Sequence, residues 1–266
     1  QITQAAQVIG NGELSRRITG VETKDEVGEL SETINEMLDK LEASFQRERQ
    51  FTSDASHELR TPLAVISACA EDALGSNAPD SRESLMTISE EAERMTKIIS
   101  QLLMLSRGYE GRLHLDPERI ALREMLDSVC DELKDSASAK QIRLHNGISN
   151  EVFITADQSL MPQLMVNIIG NAIKYGRNGG NVWLGAVMLD DGIHITVADD
   201  GIGISNEDLP RIFERFYRTD SARDRSGFGL GLSIAKWIVE LHRGAINVKS
   251  RLGHGTTFEI VIPDDK

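Results

Sequence analysis

The chain has 266 residues, enough for one large domain or for two to three small ones. With 40% hydrophobic residues it can bury a core, and the aromatic share of 5% makes that core mostly aliphatic. The 29 Lys and Arg residues against 42 Asp and Glu residues give a formal net charge of −13, which repels phosphate backbones and argues against nucleic-acid binding. Two cysteines, Cys69 and Cys130, are too few for a disulfide framework or a multi-cysteine metal site.

The sequence contains no signal-peptide pattern and no run of 18 apolar residues. It starts inside a helical pattern, because Ile2, Ala5, Ala6 and Ile9 share one helix face. We therefore expect it to be a piece of a longer protein.

Residues 1–110 are predicted to be helical. Apolar residues from Val27 to Leu41 recur in steps of three and four, which predicts a coiled coil or parallel bundle; an ordinary amphipathic helix is the alternative. A helix over about 46–74, a turn at 75–81 and a second helix ending near Leu105 then form an antiparallel hairpin. One hairpin cannot cover its own apolar stripe, so we expect a homodimer with a four-helix bundle.

Beyond Gly108 and Gly111 the pattern changes, and Pro117 marks a linker. Helices are predicted over 122–139, 159–175 and 230–241. Strands are predicted over 152–155, 182–189, 193–198 and 257–262, where apolar residues alternate in the last two. The fold class is therefore multidomain: an all-α coiled coil and helical hairpin, followed by a two-layer α+β sandwich with helices on one side of a sheet.

The first chemical constellation is His57-Glu58-Leu59-Arg60-Thr61-Pro62 on the first hairpin helix. His57 and Thr61 are four residues apart and share a face. The neighbouring Glu58 could accept a hydrogen bond from one ring nitrogen of His57, which would fix the tautomer and leave the other lone pair free. Pro62 cannot donate to the carbonyl of Glu58, so the helix should bend there.

Two further motifs would suit a nucleotide. Asn167, Asn171 and Lys174 line one face of the helix over 159–175 and could hold Mg²⁺ and phosphate oxygens, although an ordinary polar face has the same pattern. Asp199-Asp200-Gly201-Ile202-Gly203 follows a strand, where a carboxylate could accept a hydrogen bond from the adenine amino group. The two glycines would let the backbone approach a flat base.

A glycine-rich loop, Gly227-Phe228-Gly229-Leu230-Gly231-Leu232-Ser233, opens a helix and could offer backbone N–H groups to phosphate. A Rossmann domain is excluded because no strand leads into this loop, and the sequence has no Walker motif. Between the two glycine motifs, Ile212, Phe213, Phe216 and Tyr217 form an apolar cluster at helical spacing, which indicates core or an anchor for a lid.

The stretch FTSDASHELRTPL resembles the phosphoacceptor box of bacterial sensor histidine kinases, and the other motifs follow it in that family's order. The resemblance implies that His57 accepts the γ-phosphoryl group of ATP, that Glu58 is its general base, and that Thr61 orients water when the enzyme dephosphorylates its partner. It further implies that Asn171 ligates Mg²⁺, with Asn167 and Lys174 near the phosphates and Tyr175 near the nucleoside. Asp199, rather than Asp200, would bind adenine and Arg218 the terminal phosphate. The remaining nucleotide-binding residues would be Gly201, Gly203, Gly227, Gly229, Leu230, Gly231, Leu232 and Thr256.

The resemblance also divides the chain into a partial HAMP signal-relay module over 1–45, carrying the signature Asp25-Glu26-Val27-Gly28-Glu29-Leu30, a phosphotransfer hairpin over 46–108, a linker over 109–118 and an ATP-binding domain over 119–266. It implies a kinase that passes the phosphoryl group to an aspartate of a response regulator and dephosphorylates that regulator. The fragment would be the cytoplasmic portion of a bacterial inner-membrane protein, anchored through a missing N-terminal segment.

One departure concerns residues 218–227, where the lid is about two residues shorter than is common in the family and carries Ser226 in place of Gly or Glu. Two alternatives stay open. A scaffold would dimerise and bind the regulator without catalysis. An ATPase of the gyrase and chaperone superfamily would hydrolyse ATP without using His57.

Overall fold

A computed structural model describes residues 17–18, 26–75, 78–109, 115–219 and 228–264. The chain divides into two compact units, residues 1–92 and 93–266. Long helices occupy the first part of the sequence, and short strands and helices occupy the rest.

The first helix, α1, runs without interruption over Glu26–Gly75. The sequence predicted two successive helices with a boundary near residue 46, and this boundary was wrong. Between Gly28 and Pro62 no glycine or proline occurs that could end a helix, so the signal-relay segment and the hairpin share one rod. The buried Pro62 lies inside α1, and the bend expected there stays a prediction.

The second helix, α2, covers Ala78–Tyr109 and completes the predicted hairpin. The connection is shorter than the turn expected over 75–81, because Pro79 lies in the first helical turn, where a missing N–H is harmless. The hydroxyl of Ser84 donates to Asp72 across the hairpin at 3.1 Å. Large apolar side chains, among them Leu63 and Leu85, stay more than half exposed, as expected for one part of a larger bundle.

The described residues of the second part of the chain form seven strands and four shorter helices. The helices are α3 (Leu122–Glu132), α4 (Lys134–Ala139), α5 (Leu160–Tyr175) and α6 (Gly231–Leu241). The strands are β1 (Pro117–Ala121), β2 (Arg143–Asn146), β3 (Phe153–Asp157), β4 (Asn181–Leu189), β5 (Gly192–Asp199), β6 (Ala245–Arg251) and β7 (Gly255–Ile262).

Five strands form a mixed sheet in the order β2-β4-β5-β7-β6, in which only β2 and β4 are parallel. Strands β1 and β3 form a separate antiparallel pair. Alternate residues of the central strands, such as Ile195 and Ile260, are buried against the helices, while His194 and Glu259 lie on the opposite face and are partly exposed. The predicted layering, with helices on one side of the sheet, is confirmed.

Some predicted elements need correction. Strands β1, β2 and β6 were missed, and β1 begins at Pro117, where a linker was expected. The helix predicted over 122–139 is split at Leu133, whose φ of −90° and ψ of 1° interrupt the helical path. Strands β3, β4, β5 and β7 and helices α5 and α6 lie where the sequence predicted them, with their ends shifted by one or two residues.

Candidate nucleotide-binding site and phosphoacceptor helix

His57 and Thr61 are exposed on α1, on the same helix face, and Glu58 is half-buried beside them. Among the described residues, the imidazole of His57 and the carboxylate of Glu58 make no hydrogen bond. The hydrogen bond expected between these two side chains is absent from this structure. The ring of His57 is therefore accessible to an incoming group.

A cavity opens beside α5 and the end of β5. Seven of the predicted nucleotide-binding residues line it: Asn171, Tyr175, Asp199, Gly203, Arg218, Leu232 and Thr256. Its other walls are largely apolar and include Ile202, Ile204 and Ile212. A concave apolar site with a few polar groups is typical of small-molecule binding.

Asp199 supplies a fixed carboxylate in the wall of this cavity. Its Oδ1 accepts the backbone N–H of Gly201 at 2.8 Å, and the backbone N–H of Thr256 also donates to it. Burial raises the pKa of Asp199, and the two backbone donors oppose that rise. The carboxylate is thus held by the main chain in one orientation.

Asp200 has a different position and does not line the cavity. Its carboxylate accepts hydrogen bonds from the backbone and side-chain amides of Asn181, both at 3.0 Å. Burial alone would raise the pKa of Asp200, but these bonds lower it overall. The geometry therefore supports Asp199 over Asp200 as the residue that could contact a base.

The two glycines that follow Asp199 are needed for different reasons. Gly201 does not line the cavity; a Cβ there would lie 2.5 Å from the carbonyl oxygen of Tyr175 and 2.7 Å from Oδ1 of Asp199. Gly203 does line it and has a φ of +69°, and a Cβ there would collide with the carbonyl oxygen of Arg251. Gly201 thus acts through Asp199, and Gly203 allows a tight turn.

A second cavity adjoins the first, and Asn171, Tyr175, Arg218 and Leu232 are among the residues that line both. Asn167, Lys174, Gly229, Leu230 and Gly231 line the second. The predicted polar face of α5 is therefore a cavity wall. Nζ of Lys174 lies 4.9 Å from the ring centre of Tyr175.

The helix α6 begins at Gly231, next to Asn167. A Cβ at Gly231 would lie 3.0 Å from Oδ1 of Asn167, so a glycine allows the helix start to approach the polar face of α5. The N-terminus of a helix carries a partial positive charge and free N–H groups, which favour phosphate. Gly227 lies outside the described residues, as do Ser226 and the rest of 220–227.

The segment over 212–217 is not a helix, contrary to its apolar spacing. Phe216 has a φ of +59°, and its N–H donates to the carbonyl of Gly229 at 3.0 Å. Gly229 has a φ of +70° and fits against Phe216 because it lacks a Cβ. Phe213 packs edge-on against Phe258 in the core, and Arg218 comes directly after this anchored turn.

Sequence reasoning missed three polar residues of the site. Ser205 and Asp208 line the first cavity, and the hydroxyl of Ser250 accepts the N–H of Ile204 at 2.8 Å and contacts the hydroxyl of Thr256 at 2.9 Å. None belongs to a periodic pattern or a glycine motif. Ser205 lies two residues after Gly203, the last residue of the first glycine motif, which is the only sequence signal that could have pointed to it.

The described residues contain neither a cluster of metal-ligating side chains nor a membrane-spanning helix. No group of three or more His, Cys, Asp or Glu side chains there is placed to hold a metal ion. No helix there has the length and apolar character that a membrane span requires. Cys69 and Cys130 are both free thiols.

Three family models match the chain in succession: the HAMP domain over 1–43, the His Kinase A phospho-acceptor domain over 47–111, and the histidine kinase-, DNA gyrase B- and HSP90-like ATPase over 156–266. Sensor histidine kinase YclK of Bacillus subtilis is 34% identical over 251 residues, which cover 90% of this chain and 53% of that protein. Histidine-protein kinase ArlS of Staphylococcus aureus is 34% identical over 273 residues, covering 98% of this chain and 60% of ArlS.

Solved structures agree in fold. Full-length ShkA in complex with AMPPNP is 27% identical with a TM-score of 0.63, covering 81% of this chain and 45% of that one. Acinetobacter baumannii histidine kinase AdeS is 21% identical with a TM-score of 0.67, covering 79% of this chain and 98% of that one, which shows a shared fold alone.

A helical hairpin followed by an α/β domain with this cavity defines a histidine kinase. The chain belongs to the bacterial two-component sensor histidine kinases. It spans between 53% and 60% of the length of the two curated relatives named above.

Proposed function

We propose that the chain binds Mg²⁺-ATP in the two adjoining cavities, transfers the γ-phosphoryl group to His57, and passes it on to an aspartate of a response regulator. The observation that carries the proposal is the continuity of the cavities: the wall that holds the Asp199 carboxylate leads into the wall formed by Asn167 and Lys174, with Asn171 in both. A base-contacting group and phosphate-contacting groups are thus joined in one site.

The residues present fit adenosine triphosphate. The apolar cavity beside Asp199 could take the base, whose amino group donates to carboxylates. The amides of Asn167 and Asn171 and the ammonium of Lys174 offer donors to phosphate oxygens, and the α6 N-terminus adds a positive field. These groups counter the repulsion between a polyphosphate and a chain of formal charge −13.

The residues also fit a magnesium ion. The side-chain oxygen of Asn171 is a neutral, hard ligand of the kind Mg²⁺ accepts, and the ion normally keeps water and phosphate oxygens as its other ligands. When bound, the ion would neutralise charge on the phosphates.

At His57, the lone pair of one ring nitrogen would attack the γ-phosphorus in line, and the bond from phosphorus to the ADP oxygen would break, so that ADP leaves. The exposure of His57 on α1 supports this role. Glu58 would accept the proton of the other ring nitrogen in a hydrogen bond as positive charge develops, a contact that could form once the nucleotide is in place. Most of the rate would come from positioning and charge neutralisation.

Further parts of the proposal concern the whole protein. Exposed apolar residues on the hairpin, including Leu63 and Leu85, support a homodimer through a four-helix bundle. The match to HAMP supports the chain as the cytoplasmic part of a bacterial inner-membrane sensor. The structure of ThkA with the response regulator protein TrrA covers 84% of this chain, with a TM-score of 0.64 and 21% identity. This similarity supports no more than a common fold.

Thr61, four residues after His57 on the same face, would orient water for hydrolysis of the regulator's acyl phosphate. Replacing it, Thr61→Ala, should leave phosphorylation of His57 unchanged and abolish dephosphorylation of the regulator. Loss of both activities, or retention of both, would remove Thr61 from this role.

The test of the proposal measures three quantities on the same 266-residue chain: nucleotide binding, retention of label from ATP labelled at the γ-phosphate, and release of free phosphate. We expect binding and stable label in the parent, and neither in Asn171→Ala. His57→Gln should bind ATP and retain no label. Continued rapid ATP turnover by His57→Gln would favour the ATPase alternative, and failure of the parent to bind ATP would favour the scaffold.

A further inference from the structure

Asp208 and Tyr217 form a polar contact at the edge of the first cavity that no motif accounts for. The hydroxyl of Tyr217 donates to Oδ1 of Asp208 at 2.5 Å. The hydroxyl of Ser205 donates to the other carboxylate oxygen at 2.7 Å and accepts the N–H of Asp208 at 3.2 Å. The carboxylate is thus fixed by Ser205 and turned toward Tyr217.

The ring of Tyr217 is held from a second side. The guanidinium carbon of Arg211 lies 4.2 Å from the ring centre, and Arg211 also pairs with Glu214 at 3.2 Å. Bonding to Asp208 raises the pKa of the Tyr217 hydroxyl, and the same bond lowers the pKa of Asp208. Both directions agree with a charge-assisted hydrogen bond, which is stronger than a neutral one.

The backbone beside Tyr217 is also constrained. Phe216 has left-handed backbone angles and donates its N–H to Gly229, so the residue before Tyr217 is tied to the glycine-rich loop. Arg218, the next residue, lines both cavities. Arg218 therefore directly follows two anchored residues, Phe216 through its backbone and Tyr217 through its side chain.

We propose that Asp208 and Tyr217 are positioning residues that aim Arg218 at the terminal phosphate of ATP. The inference rests on the proposed function and names what selects a triphosphate over a diphosphate at that site. Adenosine and the first two phosphates would be held by Asp199 and the α5 face. Asp208 and Tyr217 also line the first cavity, but the Asp199 carboxylate is oriented by Gly201 and Thr256 rather than by either of them. The contact should therefore matter for the γ-phosphate and hardly at all for ADP.

The experiment compares dissociation constants of AMPPNP and ADP, each with Mg²⁺, for the 266-residue chain. Tyr217→Phe keeps the ring under Arg211 and removes one hydroxyl. We expect this variant to weaken the binding of AMPPNP by about 3- to 10-fold, the loss typical of one hydrogen bond. Its affinity for ADP should stay within about twofold of the parent's. Asp208→Ala should likewise lose affinity for AMPPNP and not for ADP. Asp208→Asn, which keeps an acceptor oxygen, should lose less affinity for AMPPNP.

Two further variants serve as controls. Glu207→Ala removes an exposed neighbouring carboxylate that lines neither cavity, and it should leave both dissociation constants unchanged. The double variant Tyr217→Phe/Asp208→Ala should be no weaker than the worse single variant, because both remove one contact.

An equal loss of affinity for AMPPNP and ADP would show that the contact has a merely structural role in the cavity wall. No loss of affinity for either nucleotide would show that the contact does not affect nucleotide binding. Both results overturn the inference while the kinase proposal stands. A parent that binds neither nucleotide would overturn the proposed function and this inference together. If Asp208→Ala does not fold, Tyr217→Phe alone decides.

Discussion

The carboxylate of Asp199 accepts the backbone N–H of Gly201 at 2.8 Å, two residues further along the chain. The donor can come this close because a Cβ at Gly201 would lie 2.7 Å from the same oxygen. One motif thus provides both the acidic group in the cavity and the main-chain donor that orients it. The neighbouring Asp200 uses its oxygens on Asn181 instead.

This arrangement predicts a large difference between two adjacent aspartates. Asp199→Asn replaces the charged acceptor in the cavity wall and should weaken ATP binding by about 10- to 100-fold, the range for a hydrogen bond to a charged group. Asp200→Asn should weaken it far less. Titration of both variants with ATP, beside the control Asp190→Asn at the exposed turn between β4 and β5, measures this. A larger loss in Asp200→Asn than in Asp199→Asn would contradict the assignment.

Lys140, the residue after α4, reaches with its side chain to the C-terminal end of α5, the helix that carries Asn167 and Asn171. Its ammonium donates to the carbonyl oxygens of Ile173, at 3.2 Å, and Lys174. A cation there satisfies carbonyls that have no partner within the helix and opposes the negative end of the helix dipole.

Lys140→Met keeps the apolar stem and removes the charge, so the free energy of unfolding should fall by about 1 kcal/mol. Urea denaturation would measure the change. The matched control is Lys134→Met, an exposed lysine on α4, the short helix that ends just before Lys140; it should have no effect. Equal effects of the two substitutions would show that the contact with α5 contributes nothing.

His194 on the open face of the sheet lies between two carboxylates, 2.8 Å from Asp191 and 3.2 Å from Glu259. Hydrogen bonds with Asp191 first and Glu259 second raise the pKa of His194 above its ordinary 6.5, and the bond with His194 lowers the pKa of Asp191 below 3.8. The stabilisation is therefore complete below the ordinary histidine pKa and is lost as the pH rises through the raised value. It also falls in acid, as Asp191 takes up a proton.

The expected result is a stability difference between the parent and His194→Gln that is largest near about pH 5 to 6.5 and disappears in mild alkali. Urea denaturation of both proteins at about pH 5.5 and pH 9 would test it. A difference that grows toward pH 9 has the wrong sign and would rule out the ion pairs as its source.

The sequence predicted the elements whose side chains alternate strongly. Strands β5 and β7 lie in the middle of the sheet, and one face of each is fully buried, so their pattern is visible in the residues alone. Strand β6 pairs on one side only, and its inward residues Ile246 and Val248 are half-buried, so its pattern is weak. Strand β2 has four residues, too few for a period to be recognised.

The residues of the site also divide into those that a sequence pattern marks and those that none marks. Asn171 and Asp199 were predicted because helical spacing and a glycine motif mark them, and both line the first cavity. Asp208 and Tyr217 could not be paired from the sequence, because the chain between them is a series of turns without a period. Their contact depends on the left-handed conformation of Phe216, which its residue type does not predict.

The central claim is that His57 receives the γ-phosphoryl group of ATP. The most direct measurement is to incubate the chain with Mg²⁺ and ATP labelled at the γ-phosphate and to locate the label by mass spectrometry, beside His57→Gln and the control His145→Gln on strand β2. We expect acid-labile, alkali-stable label on His57 in the parent and in His145→Gln, and none in His57→Gln. Label of the same amount in His57→Gln, or label on another residue of the parent, would contradict it.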